Sequence, residues 1–254
     1  MKEIKLLMIG NSFSEDTSYH ACKIAQDMGF SLKLCNMYIG GCSLEMHLHN
    51  SQTNESAYDM QIYENGEWKH NQGKTLDDGI LLDDWDYISF QQVSGYSGIP
   101  SSYGPLDDLM AYVKAKATNK NVRFIWHMTW AYAVDSTHWD FGKYENDQMK
   151  MYDAIIKTVH EKIMGKGFYK IIPVGTAIQN ARLVCSDDAI TRDKFHLSYD
   201  LGRYIAGIVL VSSLFDADPR PFNLTCPMGA EYNEIAKNSA YNAINCPFEV
   251  TSYK

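Results

Sequence analysis

Five short apolar stretches alternate with helical patterns along the chain, and this alternation limits the available folds more than any other feature. The stretches lie at residues 4–9, 31–39, 86–90, 122–128 and 169–174. Several stop at glycine: Gly10 after the first, Gly40-Gly41 after the second and Gly175 after the fifth. Each is strand-length; the first is an apolar run ended by a breaker and reads as a buried strand, and the second alternates up to Gly40-Gly41. Between them, apolar residues recur every three to four positions, as at Ala21, Ile24, Ala25 and Met28 or Met149, Tyr152, Ile155, Ile156 and Val159. Helices are also expected over 75–82, 106–117 and about 198–214. Strands separated by helices imply a parallel sheet covered on both faces. With 254 residues, one core and one domain spanning 1–254 suffice.

Two segments stand outside this rhythm. Residues 61–64 and 67–70 flank Asn65-Gly66, a strong signal for a two-residue hairpin turn. The segment 57–72 therefore reads as a small β-hairpin insertion on the surface, apart from the main sheet. Residues 216–254 show no clear period and are expected to wrap the surface, with one helix near 231–243. The stretches at 40–56, 91–105, 129–143 and 176–197 read as long loops after strand carboxyl ends, where open α/β sheets place their chemistry.

A net charge of −8 and a pI near 5.4 argue against a nucleic-acid partner or an anionic membrane surface. The best apolar stretch, 205–215, is too short to span a bilayer and has Arg203 beside it. Met1 runs straight into the first strand, so a cytoplasmic protein is expected, or a periplasmic or secreted one if a leader has been removed. The six cysteines have no Cys-x-x-Cys spacing, and reduced buried thiols are the default, with a Cys226–Cys246 pair open to an exported protein.

The first strand ends in Gly10-Asn11-Ser12-Phe13-Ser14. A serine there either caps the following helix or serves as a nucleophile, and a nucleophilic serine needs a base oriented by an acid. Near the other end, Arg192-Asp193-Lys194-Phe195-His196 puts an acid three residues before a histidine. Alone this is also compatible with a helix-entry turn carrying a surface histidine. The ordered set of Gly-Asn-Ser, a glycine after strand two, an amide after strand three and Asp-x-x-His resembles the SGNH (GDSL-like) hydrolase family. The resemblance runs from about residue 5 to 215, in a branch with Gly-Asn-Ser-Phe in the first block and glutamine after the third strand.

That resemblance implies a flavodoxin-like three-layer α/β/α sandwich with a five-stranded parallel sheet. It implies a catalytic triad of Ser12, His196 and Asp193, and an esterase acting without cofactor on small O-acyl or carbohydrate esters. The backbone of Ser12 and Gly41 would bind the oxyanion. The wider family carries Gly-x-Asn-Asp after strand three, whereas this chain has Gln91-Gln92-Val93-Ser94. Gln91, one methylene longer than asparagine and first past the strand, is the expected third donor. Gln92 then points the other way, toward substrate. Trp130 and Tyr132, with Trp139, either line the substrate pocket or pack the loop. Two rivals are metal-dependent hydrolysis through His47, His49, His127 and His138, and a non-catalytic carbohydrate- or small-ligand-binding protein on the same scaffold.

Overall fold

The computed structural model describes residues 3–252. Its strands are β1 (Glu3–Gly10), β2 (Ser31–Tyr38), β3 (Tyr58–Glu64), β4 (Glu67–Lys74), β5 (Tyr87–Phe90), β6 (Arg123–His127) and β7 (Lys170–Ile172). All seven join one mixed sheet in the order β4-β3-β2-β1-β5-β6-β7. The five apolar stretches form its parallel part, with β1 between β2 and β5. In β1, Leu6, Leu7, Met8 and Ile9 are consecutive and all buried, so both faces of the sheet are covered.

The hairpin corrects the expectation of a separate insertion. Its turn is as expected, with Asn65 at φ 53° and Gly66 at φ 86°. But β3 pairs antiparallel with the outer edge of β2, with Asn36 opposite Gln61 and Met37 opposite Met60. The hairpin thus widens the five-stranded sheet to seven. Tyr58, Met60 and Ile62 are buried, and pairing satisfies an edge that β2 would otherwise leave open. The exposed edge passes to β4, whose Glu67, Lys69 and Lys74 discourage further pairing.

The helices are α1 (Ser12–Ser18), α2 (Ala21–Asp27), α3 (Leu44–Thr53), α4 (Leu76–Ile80), α5 (Leu106–Lys116), α6 (Gln148–Lys162), α7 (Val174–Ala181), α8 (Asp187–Ile190), α9 (Gly202–Phe215) and α10 (Ala230–Asn245). One packed group joins α9 to α1, α2, α7 and α10, and another joins α3, α4 and α5. Two expected loops are therefore partly helical. Helix α3, Leu44–Thr53, occupies most of the expected loop at 40–56, and α7 begins right after Pro173, which cuts the fifth strand to three residues. Helix α9 is buried through Leu214, and each of its buried Ile, Leu and Val side chains contributes roughly 1.5–3 kcal/mol. All six cysteines are free thiols.

Candidate active site

The β1–α1 turn is built tightly. A Cβ on Gly10 would lie 2.5 Å from Ser14 Oγ, so only glycine fits where the strand ends. Asn11 caps α1, its Oδ1 accepting from the Phe13 N–H at 3.0 Å. Ser12 is the first helical residue, and its N–H lacks an intrahelical partner. Ser14 faces inward, with Oγ 2.7 Å from the Asn11 carbonyl and 2.8 Å from Asn36 Oδ1. Of the two serines, only Ser12 reaches a base.

That base is His196, whose Nε2 is 2.8 Å from Ser12 Oγ. Its Nδ1 is 2.7 Å from Asp193 Oδ2. The other Asp193 oxygen accepts the backbone N–H groups of Phe195 at 3.2 Å and His196 at 2.7 Å. Burial alone would raise the Asp193 carboxyl, but the hydrogen bonds from His196 and Phe195 outweigh it and hold the acid below its ordinary value. Lys194, within this turn, takes a left-handed conformation at φ 73° and pairs with Asp135 and Asp188.

Asp16 ties the turn to α1. Fully buried, it accepts from Arg192 Nη1 at 2.9 Å, Arg203 Nε at 2.8 Å and the Leu197 N–H at 2.8 Å. Asp16 follows Ser12 by four positions, on the same helix face, and that spacing was the available sequence signal. Trp130 reinforces the link. Its ring stacks on Phe13 with centroids 4.0 Å apart, and its Nε1 donates to the Phe195 carbonyl at 2.7 Å.

Ser12, Asp193 and His196 open on a cavity of about 830 Å³, whose walls include Tyr38, Gly41, Tyr96, His138 and Trp139. Gly41, at φ 66°, sits where a side chain would be strained, and its N–H has no backbone acceptor. Trp139 is 82 % exposed and stacks on His138 with centroids 4.3 Å apart. Burial, followed by the neighbouring charges of His196 and Lys143, keeps His138 below its ordinary value. A second cavity of about 550 Å³, lined from β7, α9 and α10, contains none of Ser12, Asp193 and His196.

Four expected site residues do not reach the cavity. Gln91 is buried, its Nε2 donating to Asn11 Oδ1 at 2.7 Å and its Oε1 accepting from His127 Nδ1 at 2.7 Å. Gln92 is spent on the Leu44 and Val93 N–H groups and on Ser102. Trp130 is core, and Tyr132, equally buried, holds its hydroxyl 2.8 Å from Ser94 Oγ. Each has its polar atoms engaged inside the protein, so none faces a substrate. His138, Trp139 and Tyr96 line the cavity instead. The histidines of the metal alternative are dispersed: His47 bonds Tyr58, His127 bonds Gln91, and His138 lines the cavity. Among the described residues no group of three or more His, Cys, Asp or Glu side chains is arranged to hold a metal ion.

The sheet order and the helices on both faces define an SGNH-hydrolase-like α/β fold. The sequence matches the family described as domain of unknown function DUF4886 over residues 5–243, and the chain belongs to that family. A crystallised DUF4886 protein from Bacteroides uniformis ATCC 8492 is 36% identical, with a TM-score of 0.95 over 99% of this chain and 98% of that one. At lower identity the likeness is one of fold. A protein from Slackia heliotrinireducens, provisionally described as an SGNH hydrolase, has a TM-score of 0.54 at 17% identity, over 84% of this chain and 100% of its own. A family 3 carbohydrate esterase from Clostridium thermocellum has a TM-score of 0.52 at 11% identity, over 85% of this chain and 96% of its own. No curated protein matches the sequence.

Proposed function

We propose that the protein is a serine esterase that removes small O-acyl groups, O-acetyl groups on carbohydrate in particular. The observation that carries this is the unbroken series from Ser12 Oγ through His196 to Asp193, open to a cavity. The His196 N–H at Nδ1 donates to Asp193, which leaves the Nε2 lone pair facing the serine hydroxyl. His196 takes that proton as Ser12 Oγ attacks the ester carbonyl, and Asp193 stabilises the imidazolium. The free N–H groups of Ser12 and Gly41 receive the oxyanion. His196 then returns the proton to the departing alcohol, leaving an acyl-serine. A water, deprotonated by the same histidine, releases the acid.

The cavity supports a sugar alcohol on the leaving side. Trp139 presents an indole that the fold leaves uncovered, and Tyr96 lines the same cavity. An exposed aromatic plane beside polar groups suits the apolar face of a pyranose ring. The fold relative that is a carbohydrate esterase is consistent with such a substrate.

The test combines p-nitrophenyl acetate, butyrate and octanoate with acetylated oligosaccharides, and a fluorophosphonate probe. The acetyl substrates should be preferred. The probe should label wild type and Ser14→Ala but not Ser12→Ala. Labelling that survives in Ser12→Ala refutes the assignment of the nucleophile.

A further inference from the structure

Gln91 stands at the position expected to supply an oxyanion donor, yet both ends of its amide are engaged in the interior. Four side chains meet there, all at most 2 % exposed: Asn11, Gln91, His127 and Thr17. Gln91 Nε2 is 2.7 Å from Asn11 Oδ1, Gln91 Oε1 is 2.7 Å from His127 Nδ1, and His127 Nε2 is 3.0 Å from Thr17 Oγ1.

One backbone group sets the polarity of the whole series. The Phe13 N–H donates to Asn11 Oδ1, so the Asn11 atom that faces Gln91 is an acceptor. Gln91 must therefore present its NH2 to Asn11 and its carbonyl to His127. His127 donates from Nδ1, and its remaining lone pair on Nε2 accepts the Thr17 hydroxyl. Burial pushes His127 down to about 3, so the imidazole is neutral, as this arrangement requires. The Asn11 NH2 is then left to donate to the Cys42 carbonyl at 2.9 Å, next to Gly41.

Asn11 thus fastens two turns at once. It precedes Ser12 in the chain and bonds the residue that follows Gly41. Those turns carry Ser12 and Gly41, which line the cavity and whose N–H groups have no backbone acceptor. We propose that Asn11, Gln91, His127 and Thr17 form a positioning network that holds the Ser12 and Gly41 N–H groups in register, with Gln91 acting through Asn11 and not on the substrate. A reversed Asn11 amide would set its carbonyl against that of Cys42 and leave the Phe13 N–H unpaired. The buried glutamine and histidine hold the amide against that reversal. The extra methylene of glutamine gives it the reach from the end of β5 back to Asn11.

The kinetic consequence rests on the esterase function proposed above, and the test separates the two. Fluorophosphonate labelling and p-nitrophenyl acetate turnover by the wild-type protein come first, and failure of both overturns the esterase function alone. The network is tested without activity by ¹⁵N-imidazole NMR. His127 should be neutral and protonated at Nδ1, the less common tautomer of free histidine, and should lose that preference in Gln91→Ala. In kinetics, Gln91→Ala should lower kcat about 10- to 100-fold with KM within about twofold. Gln91→Met keeps nearly the same size but can neither donate to Asn11 nor accept from His127, and should lose at least as much. Thr17→Val, remote from the cavity, should lower kcat a few-fold in the same direction. A wild-type His127 protonated at Nε2 overturns the network, and this measurement requires no variant to fold. A folded Gln91→Met within about twofold of wild-type kcat also overturns it. So does a large loss in Gln91→Ala beside an unchanged Thr17→Val, which would make Gln91 a direct donor.

Discussion

Replacing Asp193 by asparagine should lower the proposed esterase activity more than removing the side chain. Two backbone N–H groups, from Phe195 and His196, converge on Asp193 Oδ1. In Asp193→Asn these donors select the amide orientation, because only the carbonyl oxygen can accept them. The NH2 group is then forced toward His196 Nδ1, where Oδ2 now lies at 2.7 Å. An N–H facing Nδ1 requires a lone pair there and moves the imidazole proton to Nε2. The ring then donates to Ser12 Oγ and cannot take its proton. Such a tautomer error costs about 10⁴-fold in kcat in serine proteases. The Asp193 side chain here is 39% exposed, so water can solvate a rearranged side chain and soften the effect. A loss of about 10³- to 10⁴-fold follows, roughly 4 to 5.5 kcal/mol of barrier.

Asp193→Ala imposes no tautomer. Its loss is limited to orientation and to a charge already screened by solvent, so about 10- to 100-fold is expected. The assay is kcat for p-nitrophenyl acetate in both variants, with melting temperatures to exclude unfolding. Asparagine at or above the alanine rate would refute the tautomer mechanism. The same carboxyl bears on the pH profile. Its value lies below the ordinary one, so the ionised form persists until pH falls through that lowered value. A loss of kcat/KM on acidification above that value therefore does not arise from protonation of Asp193.

Three further outcomes are expected. Asp16→Asn leaves Arg203, itself buried, with only its longer 3.7 Å pair to Glu15 and should destabilise the fold by about 2–4 kcal/mol in urea unfolding; a loss under about 1 kcal/mol would show the cluster to be dispensable. Trp139→Ala should raise KM for acetylated oligosaccharides while leaving p-nitrophenyl acetate turnover and the melting temperature unchanged, and equal effects on both substrates would remove the indole from sugar binding. Burial alone would raise the Asp83 carboxyl, but Lys33 and Lys5 bond it and hold it at about 2. Its folded value is depressed, so its contribution to stability is complete above about pH 4 and is lost as pH falls toward 2. Melting curves of Asp83→Asn should therefore fall less steeply than wild type across that interval, and parallel curves would contradict the linkage.

The strands were legible because each is a short, largely apolar stretch set between helical patterns, three of them stopping at glycine, and this signal needs no knowledge of distant residues. The turn of the hairpin was equally local, since Asn65-Gly66 specifies its own backbone. Its destination was not, because pairing with β2 depends on which sheet edge lies open in three dimensions. The burial of Tyr58, Met60 and Ile62 was nonetheless written as a period of two. Helix α7 had its own period in Val174, Ala177, Ile178 and Ala181, masked by Pro173 and by the polar Thr176, Gln179 and Asn180, which are buried too.

The site divides along the same line. The meeting of Ser12, Asp193 and His196 was implied by the resemblance to the SGNH hydrolase family, which an ordered set of chemically distinctive residue types carries. Nothing in a residue type says whether an amide or an indole in a loop ends inside or outside. Trp130 lies under Phe13 while Trp139, nine residues on, stands in solvent, and the difference arises only once α1 supplies a ring to stack on. Gln91 is the sharper instance. Its reach and position suited an oxyanion donor, but Asn11 and His127, from the ends of two other strands, consume both of its polar atoms. A side chain with a donor and an acceptor has its role decided by the partners that arrive first in space, and those partners are 80 and 36 residues away.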